Sequence, residues 1–461
     1  MRRIALVLLF ASVLGLPVRP AQAYSFQYAG TARPTPLRWS VRTIPVALSS
    51  SLFEPQSNIK AGSDVIGAVR RALVRWSEAS GLEFLETVVK EDSISPATGT
   101  GDGRSLITVA GTAENLTPFA GASSDMPART RVFFARSGAI TEADVALNPY
   151  QQFSTDGTTG TFDLESTITH ELGHLLGLEH SGVIGATMQP RQGRNGLYNM
   201  PATSMRTLSE DDRAGIGALY GTRSGLSRAV GSVSGIITRA GSKPVYGASV
   251  WLEEVNSGRV VAAYTTGSDG SYDFAVLTPG NYRLLVEALD GPVALDELAS
   301  QRGPYSRLGQ SAPLRFRAQE IGEILVAGGE HLERNANVST TRTELNPYLI
   351  GFNGQLSSVP VPVTPGRTYR IFLGGEGLDP KTFAVGGVTT SSPFLTVNPA
   401  SITAQQFGQN LTVISFDINV AVDAPNGDYS IRVVNTAGAV AYLTAGVTID
   451  GTINPWPIFT F

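Results

Sequence analysis

Two hydrophobic rhythms divide the chain near Gly221. Before it, helical periods alternate with short strand-like runs. Ile66, Val69, Leu73 and Trp76 recur at +3, +4 and +3 and predict a helix over 64–80, with Ser63 or Asp64 to cap its start and Gly81 its end. Leu164, Ile168, Leu172 and Leu175 recur at +4, +4 and +3 and predict a second helix capped by Asp163. Arg38 to Leu48 alternates loosely as a first strand, with Trp39, Val41 and Ile44 available for a core. Leu82–Thr87, Leu106–Ala110, Arg131–Ala135 and Ala143–Leu147 are further strand candidates between Gly, Pro and Asp turns.

After Gly221 alternation with period two takes over. It runs through Val233–Ile237, Ala248–Leu252 and Tyr282–Val286, with turns at Gly267-Ser268-Asp269-Gly270 and Thr278-Pro279-Gly280-Asn281. Short strands with turns every ~8–12 residues predict a β-sandwich. The order Gly247-Ala248-Ser249-Val250, Asp269-Gly270-Ser271-Tyr272, Pro279-Gly280-Asn281-Tyr282 resembles carboxypeptidase regulatory-like domains of transthyretin-like fold. A second β-rich block starts near Thr343 and reads as an immunoglobulin-type sandwich, with alternation at Tyr369–Leu373 and Asp428–Val434. Neither block clusters catalytic residue types, so both read as binding or spacing modules.

Composition narrows the chemistry. The 461 residues include 50 Gly and no Cys, and only 16% are charged. Without Cys there are no disulfides, thiol nucleophiles, Cys-type zinc fingers or Fe–S clusters. A net charge of -4 offers no footprint for nucleic acid or anionic membrane. With four His in all, an imidazole metal site must use most of them.

Residues 1–23 have a secretory layout. Arg2 and Arg3 precede an apolar run from Ile4 to Leu16, and Ala21-Gln22-Ala23 suits cleavage before Tyr24. The run is short for a membrane span, which needs ~20 apolar residues. The expectation is a secreted, extracellular protein without a span in its mature form.

The chemistry concentrates in Thr169–His180. On a helix His170 and His174 are one turn apart and project to the same side, about 6 Å apart in rise. That spacing lets two ring nitrogens reach one zinc at ~2.0–2.1 Å. Glu171 points toward the same cavity edge, placed to contact a metal-bound water rather than to serve as the third ligand. Gly177 ends the helix by taking positive φ, so that His180 can return to the same ion. Three neutral imidazoles with one open position make a catalytic rather than a closed structural site.

His170-Glu171-x-x-His174-x-x-Gly177-x-x-His180, followed by Gly185-Ala186-Thr187-Met188-Gln189-Pro190, resembles the metzincin zinc peptidases and their Met-turn. Ser181 after His180, the stretch from Leu208-Ser209-Glu210-Asp211-Asp212 to Ala218-Leu219-Tyr220-Gly221 and the helix ending near Trp76-Ser77 are similar to the matrixin branch. The resemblance implies one Zn2+ held by His170, His174 and His180, with Glu171 as general base and Met188 as the apolar floor. It also implies polypeptide substrates, paired through their backbone with an edge strand for which Ala128–Ala135 is the candidate. One of Asp211 and Asp212 would support the Met-turn from behind. The implied architecture is multidomain: an α+β metzincin-type catalytic domain (twisted mixed sheet plus three helices) followed by two β-sandwich domains.

The expected layout is a signal peptide at 1–23, a short segment at 24–36, a zinc peptidase domain at 37–221, a regulatory-like sandwich at 230–342 and an Ig-like sandwich with tail at 343–461. Three departures from the matrixin pattern stand out. No Cys can latch the metal, no spare histidine within 24–221 can build a second imidazole zinc site, and Gln192 stands where the family has a pocket Tyr. Ca2+ is unsupported, since the loops at Gly101-Asp102-Gly103 and Thr155–Gly160 serve equally as turns. His331 reads as a solvated residue, Asp269 and Asp273 as parts of a hairpin turn, and Asn115, Asn337 and Asn410 each open an N-x-S/T triplet, which means little if the protein is bacterial. The alternative to a secreted endopeptidase, broad or narrow, is a surface adhesion or matrix-binding protein with a secondary or decayed peptidase domain.

Overall fold

The computed structural model describes residues 25–30, 35–120, 126–196, 205–221, 229–298, 314–339, 341, 344–352, 354–408 and 411–451. The expected signal segment, Asn410 and the tail at 456–461 lie outside the described residues.

The first half is built on one mixed sheet. Strands β1 (Thr43–Ser49), β2 (Glu83–Val89), β3 (Ser105–Thr108) and β5 (Ala139–Leu147) run parallel in the order β5-β3-β1-β2, and Arg38–Trp39 joins the start of β5. Strand β4 (Ala128–Phe134) pairs antiparallel with β5. The long first strand expected over 38–48 is interrupted by a bend at 40–42. Trp39 and Ile44 are buried, but Val41 sits on that bend and is 49% exposed, so it is not a core residue.

Helix α1 (Val65–Ser80) is capped by Asp64, which accepts from Gly67 N, and ends at left-handed Gly81. Its buried Val69, Leu73 and Trp76 face helix α2 (Leu164–Leu175), and Trp76 Nε1 donates to Thr169 O at 2.7 Å. Beneath the start of α2, buried Glu165 pairs with Arg71 at 2.8 Å and Arg75 at 2.5 Å. Helix α3 (Glu210–Tyr220) opens on a capping box between Ser209 and Asp212.

The remainder is a β-sandwich-like region with few helices. Strands β6 (Gly231–Arg239) and β9 (Ser271–Leu277) pair antiparallel, and a second sheet runs β8 (Val260–Thr265), β7 (Ala248–Glu254), β10 (Gly280–Ala288), β11 (Gln319–Val326). A short helix α4 (Leu295–Leu298) follows β10. Further on, one sheet orders β12 (Asn346–Phe352), β13 (Thr368–Glu376), β16 (Thr412–Val420), β15 (Leu395–Gln406). Another joins β14 (Phe383–Thr390), β17 (Gly427–Asn435), β18 (Val440–Ile449) and Val361–Pro362.

The two halves pack on each other. Val183 and Ala186, from the loop after α2, share a buried cluster with Trp251, Val260, Leu285 and Ala445. A loop of the first half is thus enclosed by strands from two later sheets.

Candidate metal centre

Helix α2 is almost wholly buried, so its direction is fixed by packing. Asp163 caps it through Ser166 N at 2.8 Å and is clamped by Arg206 at 2.9 and 2.6 Å. The helix stops where Gly177 takes φ 98° and Leu178 N returns to Gly173 O at 3.0 Å. A Cβ at Gly177 would lie 2.2 Å from Leu37 O, so the turn requires glycine. The chain then bends back, and residues 25–29 brace it: Gln27 Nε2 donates to His174 O at 3.2 Å and to Leu178 O at 3.1 Å.

This bend brings His170, His174 and His180 together. One ligating atom from each lies within 4.8 Å of the others, the ring centroids are 4.8, 5.4 and 4.9 Å apart, and His174 Nε2 is 3.3 Å from His180 Nε2. Each Nδ1 has a main-chain carbonyl as partner: Thr187 O at 2.7 Å for His170, Leu178 O at 2.9 Å for His174 and Glu297 O at 2.7 Å for His180. A carbonyl only accepts, so each Nδ1 carries a proton, which leaves Nε2 as the ring atom available to a metal. Burial, reinforced by the neighbouring imidazoles, holds His170 down to about 3 and His174 well below the ordinary imidazole range. Three convergent ring nitrogens with satisfied outer partners fit a zinc ion.

The loop after His180 folds under this cluster. Ser181 N donates to Met188 O at 2.8 Å, and Met188 is buried. A Cβ at Gly173 would meet Met188 Sδ at 2.2 Å, so the thioether packs against the turn of helix between His170 and His174. Asp212 pins this loop from α3, accepting from Thr187 N at 2.8 Å and Met188 N at 3.1 Å. It is therefore Asp212 that supports the Met-turn. Asp211 accepts instead from Ser181 Oγ and from Ala263 N of β8, both at 2.7 Å. The sequence reading missed Gly173, whose signal was a glycine inside a helical period, where it costs ~1 kcal/mol relative to Ala.

Glu171 is buried beside the histidines. Its Oε2 accepts from Thr130 Oγ1 of β4 at 2.5 Å. Burial raises its carboxyl to about 7, while the Thr130 hydroxyl and the Arg129 charge oppose the rise. Among the described residues β4 has β5 as its only strand partner.

Other expectations resolve simply. Gln192 Oε1 accepts from Thr167 Oγ1 at 2.9 Å, tying the residue to α2. In the loops at Gly101-Asp102-Gly103 and Thr155–Gly160, Asp102 accepts from Arg104 N and Asp156 from Thr158 N, as turn residues do. His331 is exposed and bonds Ser232 and Ser234. Asp269 caps a turn through Ser271 N, whereas Asp273 is not in the turn: it lies buried within β9, its carboxyl raised to about 7 by burial. Asn115 is fully buried and bonds Asp92 O and Ala110 O, a structural residue.

Residues 39–221 match the family description Matrixin, and residues 232–293 match Carboxypeptidase regulatory-like domain. Metalloendoproteinase 4-MMP of Arabidopsis thaliana is 30% identical over 192 residues, 40% of this chain and 48% of that protein. The hatching enzyme of Paracentrotus lividus is 30% identical over 194 residues, 41% of this chain and 27% of that protein. Matrilysin of Homo sapiens is 41% identical over 70 residues, 15% of this chain and 24% of that protein. The chain thus spans about half or less of the curated relatives it matches. The histidine cluster and the Met-turn fall inside the segment 39–221: the chain contains a matrixin domain, followed by a carboxypeptidase regulatory-like domain in a β-sandwich-like region.

Proposed function

We propose that the protein is a zinc-dependent endopeptidase acting on extracellular proteins, exported through residues 1–23, with two C-terminal sandwich domains. The observation that carries this reading is the convergence of one ring nitrogen each from His170, His174 and His180 within 4.8 Å, with the buried Glu171 next in sequence to His170. His170, His174 and His180 would hold the zinc. When bound, the ion supplies a Lewis acid that polarises a peptide carbonyl and lowers the pKa of water. Glu171 would take the proton of the attacking water and deliver it to the leaving amine nitrogen. Thr130 orients that carboxylate through Oε2, which leaves Oε1 for proton transfer. The side of β4 away from β5 would pair with an extended substrate backbone, a mode that selects polypeptide by its main chain. No helix among the described residues is long and apolar enough to cross a membrane.

The test joins metal content to cleavage. Wild type is expected to carry one zinc per chain and to cleave unfolded protein. Glu171→Ala should keep the zinc and lose about 10²–10⁴-fold in rate, the usual worth of general acid–base catalysis. Unchanged proteolysis in Glu171→Ala, or a wild type without zinc, would defeat the proposal.

A further inference from the structure

The third histidine takes its outer partner from far along the chain. His170 and His174 are held by Thr187 O and Leu178 O, within the matrixin domain. His180 Nδ1 instead bonds the carbonyl of Glu297 at 2.7 Å, in α4. The nearer candidate, the Glu179 carboxylate, is 3.8 Å away and too far for a hydrogen bond.

The segment carrying that carbonyl is anchored to the Met-turn loop. Arg191 Nη2 pairs with Glu297 Oε1 at 2.7 Å, and Arg191 Nη1 donates to Pro292 O. Glu297 Oε2 accepts from Ala294 N at 2.7 Å, fixing the turn that begins α4. Val293, Leu295 and Leu298 are buried, and Leu289 and Leu298 pack over Gly182. Charge, main-chain bonding and apolar contact thus all place Glu297 at His180.

We propose that the β-sandwich-like region completes the metal centre, with Glu297 as the positioning residue of His180 and Arg191 as the clamp that holds Glu297. The inference rests on the zinc reading above. A partner on Nδ1 fixes the tautomer and ring direction and raises the basicity of Nε2; loss of such a partner costs 10–100-fold in metal affinity. Substitutions at Arg191 or Glu297 keep the carbonyl but release the side-chain contacts that hold it at His180, so they act on zinc retention without removing any ligand.

The test uses the full chain. Wild type, Arg191→Ala, Glu297→Ala, the double variant, Arg191→Lys and the remote control Arg370→Ala are compared. Zinc content is measured first, then the rate of zinc transfer to a chromogenic chelator, the visible spectrum of the Co2+-substituted protein and the urea midpoint. Arg191→Ala and Glu297→Ala should each release zinc about tenfold faster, the lower end of the range for outer-shell partners. The double variant should be little worse than either, because both act through one contact. Arg191→Lys should recover most of the loss, and the Co2+ bands should move in the alanine variants but not in Arg370→Ala. Release within twofold of wild type in both alanine variants, with zinc bound stoichiometrically, overturns the inference and leaves the zinc reading standing. A wild type that binds no zinc overturns both.

Discussion

At the scale of single residues, the centre depends on positions where no side chain fits. Gly177 combines φ 98° with a carbonyl, Leu37 O, 2.2 Å from where a Cβ would lie. Because that obstacle is backbone, it cannot swing aside. Gly177→Ala should therefore lower stability by about 2 kcal/mol or more and displace His180. Urea denaturation and zinc content together check this, and an unchanged midpoint with full zinc would refute it. The histidine spacing and Gly177 were legible in the sequence because they are local: a helix period and a helix stop lie within eleven positions. Glu297 was not legible, since its contribution is a main-chain carbonyl that any residue type supplies. Arg191 likewise carries no local signal, because its partner Glu297 lies far along the chain.

At the scale of elements, α3 serves the site through its first turn. Asp212 closes the capping box with Ser209 N at 2.8 Å and also receives Thr187 N and Met188 N, so one carboxylate ties helix start to Met-turn. Through Thr187 O the same tie reaches His170 Nδ1. Asp212→Ala leaves several buried donors without acceptors, at about 1–3 kcal/mol each, and a loss on the order of 3 kcal/mol is expected. Asp212→Asn, which keeps one carbonyl oxygen, should fall between the two. Equal urea midpoints for Asp212→Ala and wild type would sink the idea. Helices and their caps were readable from periodicity and capping residues. The break at 40–42 was not, because alternation through Val41 looks the same whether the chain bends or continues. Asp273 misled for a related reason: a lone Asp near Gly270 reads as a turn until pairing shows it inside β9.

At the scale of the molecule, acid groups gather where the halves meet. Asp428 of β17 is buried, with Asp212, Glu210 and Asp211 near it, and its carboxyl is raised to about 8 by burial and then by these charges, against the Thr448 hydrogen bond. Burial and Asp212 likewise raise Asp211 to about 7. A carboxyl raised in the folded state binds its proton more tightly there than in the unfolded chain. Its stabilisation is complete below the ordinary 3.8 and is lost as pH climbs through about 8. Asp428→Asn mimics the neutral form. It should match wild type near pH 4 and exceed it increasingly up to pH 8, with a slope of at most about 1.4 kcal/mol per pH unit. Thermal midpoints across that range decide it, and a constant difference would count against the assignment.

The long reach from His180 to Glu297 also orders events in time. A ribosome delivers the three histidines first and the carbonyl for His180 only 117 residues later. At ~5–20 residues per second that interval is on the order of ten seconds. Until residue 297 has emerged and the segment around it has packed, the third histidine lacks its outer partner. If the proposed function holds, the order of the domains along the chain sets the earliest moment at which the centre is fully braced.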